Sequence, residues 1–235
     1  MTAAAIPAVS LAAGAAFMSW AVRGRSSAVF APSIWRARTD RQAIALTFDD
    51  GPSESTPRLL EILAGHNVPA TFFQIGANVD RLPEIARTVG QAGHLIGNHS
   101  YTHPLFCFRP PGFAFEDLER AQKTIEDRAG SRPAWFRAPY GVRWFGMRAA
   151  QQQLGLTGVM WSAIGYDWKR NTGDVVARLV SGVTSGAILC LHDGRELCPR
   201  PDIGVTLEAV RLLIPILLDQ GYQFETLSQL LCPTN

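Results

Sequence analysis

Along most of the chain, short apolar runs alternate with segments whose apolar residues recur every three or four positions. The runs "AIALTF" (43–48), "ATFFQI" (70–75), "HLIGN" (94–98), "AWFRAPY" (134–140, with its exit loop), 156–161 and "AILCL" (187–191) read as buried strands. Between them, "SESTPRLLEILAG" reads as a helix with Ser55 or Thr56 as cap, Pro57 in the first turn and Gly65 as stop. "RLPEIARTVGQAG" reads as a helix closing at Gly93, and 115–130 as an amphipathic helix with Leu118, Ala121, Ile125 and Ala129 on one face. Further helices are expected near 146–154, 173–183 and 203–220, the last kinked at Pro215. A short strand, "YQFET", and a helical turn close the chain. Repeated strand–helix units predict parallel strands with helices outside. The fold class is therefore α/β: a distorted (β/α) barrel of about seven parallel strands, with an open doubly wound sheet as the alternative.

The N-terminus breaks this pattern. Residues 2–22 carry no charge, and as a helix they would be about 31 Å long, enough to span a hydrocarbon core. Arginines 23, 25, 36, 38 and 41 follow. Residues 1–35 are read as a hydrophobic segment and linker, and 36–235 as the catalytic domain. The segment is taken as a membrane anchor, with a secretory signal or a helix packed on its own domain as alternatives. The flanking arginines would leave the domain on the cytoplasmic side; the expected location is a membrane or the cell envelope.

Composition narrows the function. With 47% apolar and 18% charged residues over 235 positions, the chain is neither disordered nor a polytopic membrane protein. A net charge of +2 without a Lys/Arg run excludes nucleic acid as the expected partner. No GxGxxG or GxxxxGK[ST] appears. The four cysteines form no CxxC pair; Cys198 and Cys232 could pair, and free thiols are the favoured reading.

Parallel α/β folds do their chemistry at the carboxyl ends of strands. Asp49 and Asp50 follow one apolar run, His99 another with His103 four residues on, Arg137 a third, and His192 and Asp193 the last; Asp167 stands shortly after the run ending near 161. On a helical turn His99 and His103 would face one side and could share a metal ion. Two imidazoles and a carboxylate are the donor set of a hydrolytic zinc site. The adjacent aspartates would then divide the work, one on the metal and one on the water; without the histidines, "DDGP" would read as a polar turn. Arg137 could clamp a catalytic carboxylate, and His192 could serve as a general acid tuned by Asp167. His66 and His94 are read as structural or solvated.

"TFDDGPS", "HSYTH", "RAPY", "YDW" and "LHDG", in this order, resemble the polysaccharide deacetylases, carbohydrate esterase family four, over residues 43 to about 230. The resemblance implies a metal-dependent hydrolase that removes acetyl groups from N-acetylated sugars. It implies Asp49 as general base, Asp50, His99 and His103 as ligands of zinc or a similar divalent ion, and Arg137 as clamp on Asp49. It further implies the backbone N–H of Tyr140 as oxyanion donor, Asp167 as partner of the acid His192, and Trp168 as a wall for the acetyl methyl. Two positions depart from the family pattern: Ile164 stands where DxxDW has its first acid, and Cys190 replaces the leucine of LxH, placing a smaller side chain against the expected substrate pocket. The loop 104–113 is the expected source of further sugar contacts. An acetylated glycan and a monomeric chain are expected. The alternatives are a membrane-associated deacetylase or deformylase of a lipid-linked sugar, an O-acetyl xylan esterase, and a sugar-binding homologue without catalysis.

Overall fold

The computed structural model describes residues 5–232. Its strands are β1 (Ala43–Gly51), β2 (Thr71–Gln74), β3 (Leu95–Asn98), β4 (Trp135–Phe136), β5 (Thr157–Gly158), β6 (Ala163–Ile164), β7 (Ile188–His192) and β8 (Gln223–Phe224). Seven run in the order β5-β4-β3-β2-β1-β7-β6, every pair parallel, and β8 joins the start of β1. The path is a half-barrel whose edges are β5 and β6. Residues 34–37 reach across both sides of this opening: Ile34 bridges Val159, Arg36 bridges Ala187, and the Ala37 N–H donates to the Gly186 carbonyl at 2.8 Å.

The helices are α1 (Ala5–Arg23), α2 (Thr56–Gly65), α3 (Gly76–Arg81), α4 (Pro83–Gln91), α5 (Pro111–Ala129), α6 (Met147–Leu154), α7 (Thr172–Gly182), α8 (Gly204–Asp219) and α9 (Leu227–Leu231). The expected helix over 81–93 is α4, opened by Pro83 after Leu82 leaves helical geometry, and a separate helix, α3, precedes it that the sequence reading did not include. The expected strand at 156–161 shrinks to Thr157–Gly158, and a further short strand, Ala163–Ile164, follows beyond it. Neither Ser55 nor Thr56 caps α2 with its side chain: the Thr56 hydroxyl instead donates to Asp193 at 2.7 Å. Pro215 stands inside α8, which continues past it. The face Leu118, Ala121, Ile125 and Ala129 of α5 is buried, as its periodicity requires.

A helix does form over Ala5–Arg23, but among the described residues no helix is long and apolar enough to cross a membrane. The expected spanning anchor over 2–22, whose first residues lie outside the described ones, is not supported by this helix. The segment is uncharged but rich in alanine and glycine, whose small side chains contribute little transfer free energy.

Strand parity sorts the core into two layers. Ile44, Leu46 and Phe48 of β1, Phe72 of β2 and Leu189 and Leu191 of β7 pack outward against the helices. Ala43, Ala45, Phe73 and Ile188 point inward and meet Leu227 and Leu230 of α9 and Ala37. Side chains alternate along a strand, so Thr47 and Asp49 must also point inward, as must Cys190 and His192. The interior is therefore plugged with apolar groups at the amino end of the strands and lined with polar ones at the carboxyl end.

Candidate active site

The polar end of the interior opens into a cavity of about 330 Å³, a size suited to a small ligand. Asp49, Asp50, His99, His103, Tyr140 and His192 line it, as do Ile164 and Trp168. Register supplies the first contacts: Asp49 is the direct β-partner of Phe73 on one side and of His192 on the other.

The two aspartates diverge because β1 bulges after Asp49 and Asp50 takes φ +72°. Asp49 stays in the interior. Its Oδ1 accepts from Arg137 Nη1 at 2.7 Å, and its Oδ2 accepts the Cys190 thiol at 3.4 Å. Arg137 is fully buried; it also donates to the Thr47 hydroxyl and the Met160 carbonyl, and its guanidinium lies 4.2 Å from the centre of the Phe73 ring. The bulge needs two glycines: a Cβ on Gly51 would lie 2.2 Å from the Asp193 carboxylate, and one on Gly194 2.2 Å from the Asp50 carbonyl oxygen.

Asp50 turns to the histidines. His99 and His103 are not on a helical turn as expected; they flank a loop in which Ser100 and His103 both have positive φ. Their rings still converge, with Nε2 of His99 at 3.4 Å and of His103 at 3.1 Å from Asp50 Oδ1. Nδ1 of His99 lies 2.8 Å from the Arg137 carbonyl, which can only accept. That fixes the proton on Nδ1 and leaves the Nε2 lone pair facing a carboxylate. His103 Nδ1 is buried with no partner. Lone pairs and a carboxylate turned on one another, with the three ligand atoms within 4.8 Å, fit a divalent cation, and a mixed nitrogen and oxygen set suits zinc among others. Burial works against ionising Asp50, but the His103, His99 and His192 rings around it outweigh burial and hold the carboxyl well below its ordinary range. The second oxygen of Asp50 accepts from the Glu196 N–H at 3.0 Å, and Asn78 ties the Asp50 and Glu196 carbonyls together at 2.9 and 2.8 Å.

Opposite, His192 Nδ1 pairs with Asp167 Oδ1 at 2.9 Å, while Asp167 Oδ2 accepts from the His192 N–H and from Thr206 on α8 at 3.0 and 2.6 Å. Burial opposes a charge on His192, yet the Asp167 carboxylate outweighs it and pushes the ring up to about 9. Asp167 moves the other way: His192, Thr206 and Arg195 overcome its burial and hold it below its ordinary value. Asp193, behind the bulge, accepts only from Thr56 through Oδ2; burial, with Asp50 nearby, raises it to about 7.

Tyr140 has φ +57° at the tight turn Pro139–Gly141, which leaves its N–H without a backbone acceptor at the cavity wall. Its phenol is raised by burial, with the nearby Glu196 carboxylate acting in the same direction. Trp168 packs edge-on to His192 at 4.7 Å and is half exposed. Ile164 lines the cavity at the position where the family pattern has an acid.

Two expectations are not met. Cys190 is fully buried and lies behind Asp49, so it touches that carboxylate rather than lining the cavity, and burial together with the Asp49 charge raises its thiol. The loop 104–113 does not line the cavity either: Phe106 packs into the core with Leu118 and Phe136, and the aromatic walls come from Trp161, Tyr166 and Trp168. All four cysteines are free thiols. Sequence reasoning missed Asn78, Thr206, Glu196 and Arg195. The one available signal was Pro83, which marks a separate α3 carrying Asn78 just before it.

The polysaccharide deacetylase model matches residues 36–159. Peptidoglycan-N-acetylglucosamine deacetylase PgdA of Listeria monocytogenes is 35% identical over 206 residues, 87% of this chain but only 42% of that protein, so this chain spans less than half of that relative's length. A chitooligosaccharide deacetylase of Bradyrhizobium sp. is 35% identical over 198 residues, 80% of this chain and 90% of the relative. Among solved structures, a pseudoenzyme of carbohydrate esterase family four from Bacillus anthracis superposes with a TM-score of 0.77 at 27% identity, covering 85% of this chain and 68% of that one. By sequence and by fold, the chain belongs to the polysaccharide deacetylase family.

Proposed function

We propose that this chain hydrolyses the N-acetyl groups of an acetylated amino-sugar glycan, of the chitooligosaccharide or peptidoglycan kind on which its named relatives act. One observation carries the reading. An Asp–His–His donor set, an arginine-clamped aspartate and a histidine charged through a second aspartate face a single cavity from different strands.

Asp49 removes a proton from the attacking water; the Arg137 fork fixes its rotamer, and each carboxylate oxygen keeps a lone pair free for the task. The Tyr140 N–H points at the oxygen of the tetrahedral carbon and stabilises the charge that develops there. His192, protonated through Asp167, delivers its proton to the nitrogen as the C–N bond breaks; an amine leaves poorly without one. Trp168 and Ile164 shield the acetyl methyl. Asp50, His99 and His103 would hold a zinc or similar divalent ion, which would supply Lewis-acid polarisation of the amide carbonyl and a more acidic water. With a wall glycan as substrate, the site of action is the cell envelope.

The test is acetate release from acetylated oligosaccharides, before and after chelation. Loss of release in Asp49→Asn and in the chelated protein supports the reading; full activity in either sinks it. The pseudoenzyme neighbour motivates one rival, a sugar-binding homologue without turnover. Oligosaccharide binding by zinc-loaded protein with no acetate released would establish it.

A further inference from the structure

The segment that resembled an anchor ends at the catalytic cavity. Arg23, the last residue of α1, lines it together with Asp49, Tyr140 and Trp161. Its backbone is fixed from both sides. The Arg143 N–H donates to the Val22 carbonyl at 3.1 Å, and Arg143 Nη2 donates to the Gly24 carbonyl at 2.6 Å. Nη1 of the same guanidinium reaches the Ser27 carbonyl at 3.1 Å. Arg143 is 1% exposed and follows Tyr140 by three residues. The end of α1 and the loop bearing the candidate oxyanion donor are thus one rigid unit.

Arg23 itself is exposed and has no ion-pair partner among the described residues. The other cations around the cavity are engaged: Arg137 by Asp49, His192 by Asp167, and Arg195 by the Gly194 carbonyl and Asp167. The cation left without such a partner is the Arg23 guanidinium. A neutral sugar seated against it would offer only uncharged acceptors, whereas an oxyacid group would meet the planar fork of donors with an opposite charge.

We propose that Arg23 forms an anion subsite at the cavity mouth, so that the acetylated glycan turned over here bears a carboxylate close to the reacting acetamide. This rests on the deacetylase reading and adds a substrate class to it. A phosphate on the sugar offers the same chemistry, so the test separates the two sources.

The experiment compares kcat/KM on two tetrasaccharides, one of N-acetylglucosamine alone and one in which alternate N-acetyl sugars carry a lactyl carboxylate. Companion arms use the amidated carboxylate and N-acetylglucosamine 1-phosphate. The wild-type chain is expected to prefer the carboxylated oligomer over both the neutral and the amidated one. Arg23→Ala is expected to lower the carboxylated-to-neutral ratio by roughly tenfold, the scale of one charge-assisted hydrogen bond at an open site. Arg23→Lys should retain part of the preference and Arg23→Glu reverse it. An unchanged ratio in Arg23→Ala, whether both rates fall together or neither does, overturns the subsite. Dependence on Arg23 confined to the phosphate keeps the subsite and moves its source to a sugar phosphate. If no oligomer releases acetate, the deacetylase reading fails. Calorimetric binding of the same oligomers to wild type and Arg23→Ala then decides the subsite, and equal affinities overturn it.

Discussion

The cavity has two acid–histidine clusters made of the same residue types and wired in opposite ways. On one side, Asp50 is shared by two rings, and the His99 proton is drawn away to a backbone carbonyl, so a lone pair faces the carboxylate. On the other, a single ring points its Nδ1 at Asp167, and proton and carboxylate meet directly. The first arrangement calls for a cation between its groups; the second holds a proton. What separates them is the backbone and hydroxyl groups around the ring: the Arg137 carbonyl draws the His99 Nδ1 proton away from Asp50, whereas Thr206 and the His192 backbone N–H orient Asp167 toward His192 Nδ1.

The sharpest break is on the cation side. His103→Ala should lower acetate release by about 10³-fold, the scale of losing a metal-assisted step, and metal content measured by atomic absorption should fall with it. Loss of activity with full metal content would instead make His103 a substrate contact. On the proton side, Asp167→Asn should cost about 10²-fold. It should also move the alkaline loss of kcat/KM to lower pH, because His192 stays protonated up to about 9 only while the carboxylate offsets its burial. A profile that keeps its alkaline limb would remove His192 as the acid. Arg137→Lys, which keeps the charge and loses the fork, should cost roughly tenfold in kcat with little change in KM, since the clamp orients Asp49 and does not touch substrate.

His94 gives the smallest effect and a control for the comparison. It is a partly buried histidine beside Phe72 with no carboxylate against it, and burial lowers it to about 4. Its Nδ1 accepts from the Ala70 N–H at 3.2 Å, a bond that requires the neutral ring. In the unfolded chain the ring protonates near 6.5, so the unfolded state binds more protons between about 6.5 and about 4. Stability is therefore undiminished above 6.5 and falls as the pH is lowered toward 4. The contribution, discounted for partial exposure, is about 1–2 kcal/mol. Urea unfolding at pH 7.5 and 4.5 reads it, and His94→Gln should flatten the difference.

Much of this was legible because strand parity is local. Once "AIALTFDD" is a strand with its aliphatic residues outward, Thr47 and Asp49 have to face in, and "AILCLH" sends Cys190 and His192 to the same place. The convergence of Asp50, His99 and His103 was legible from residue type and position at strand ends, although the helical turn expected for the histidines is a loop with two left-handed residues. The props were not legible. Asn78 bridges Asp50 and Glu196, 28 and 118 positions away, and Thr206 reaches Asp167 from α8, 39 positions on; nothing within a local window marks such partners. Cys190 was misplaced for a related reason. A family position says which residue is replaced, and only packing says that the thiol lies beneath a carboxylate and not beside a ligand.

The reach of residues 34–37 across the half-barrel, and the grip of Arg143 on 22–27, bear on how this protein can be cut. A shortened chain starting at residue 36, where the family match begins, would strand a buried guanidinium without its carbonyls and uncover the edge at Val159. Expressed that way, the protein should be recovered largely as aggregate through the bared strand edge, whereas a start upstream of Val22 should keep it soluble.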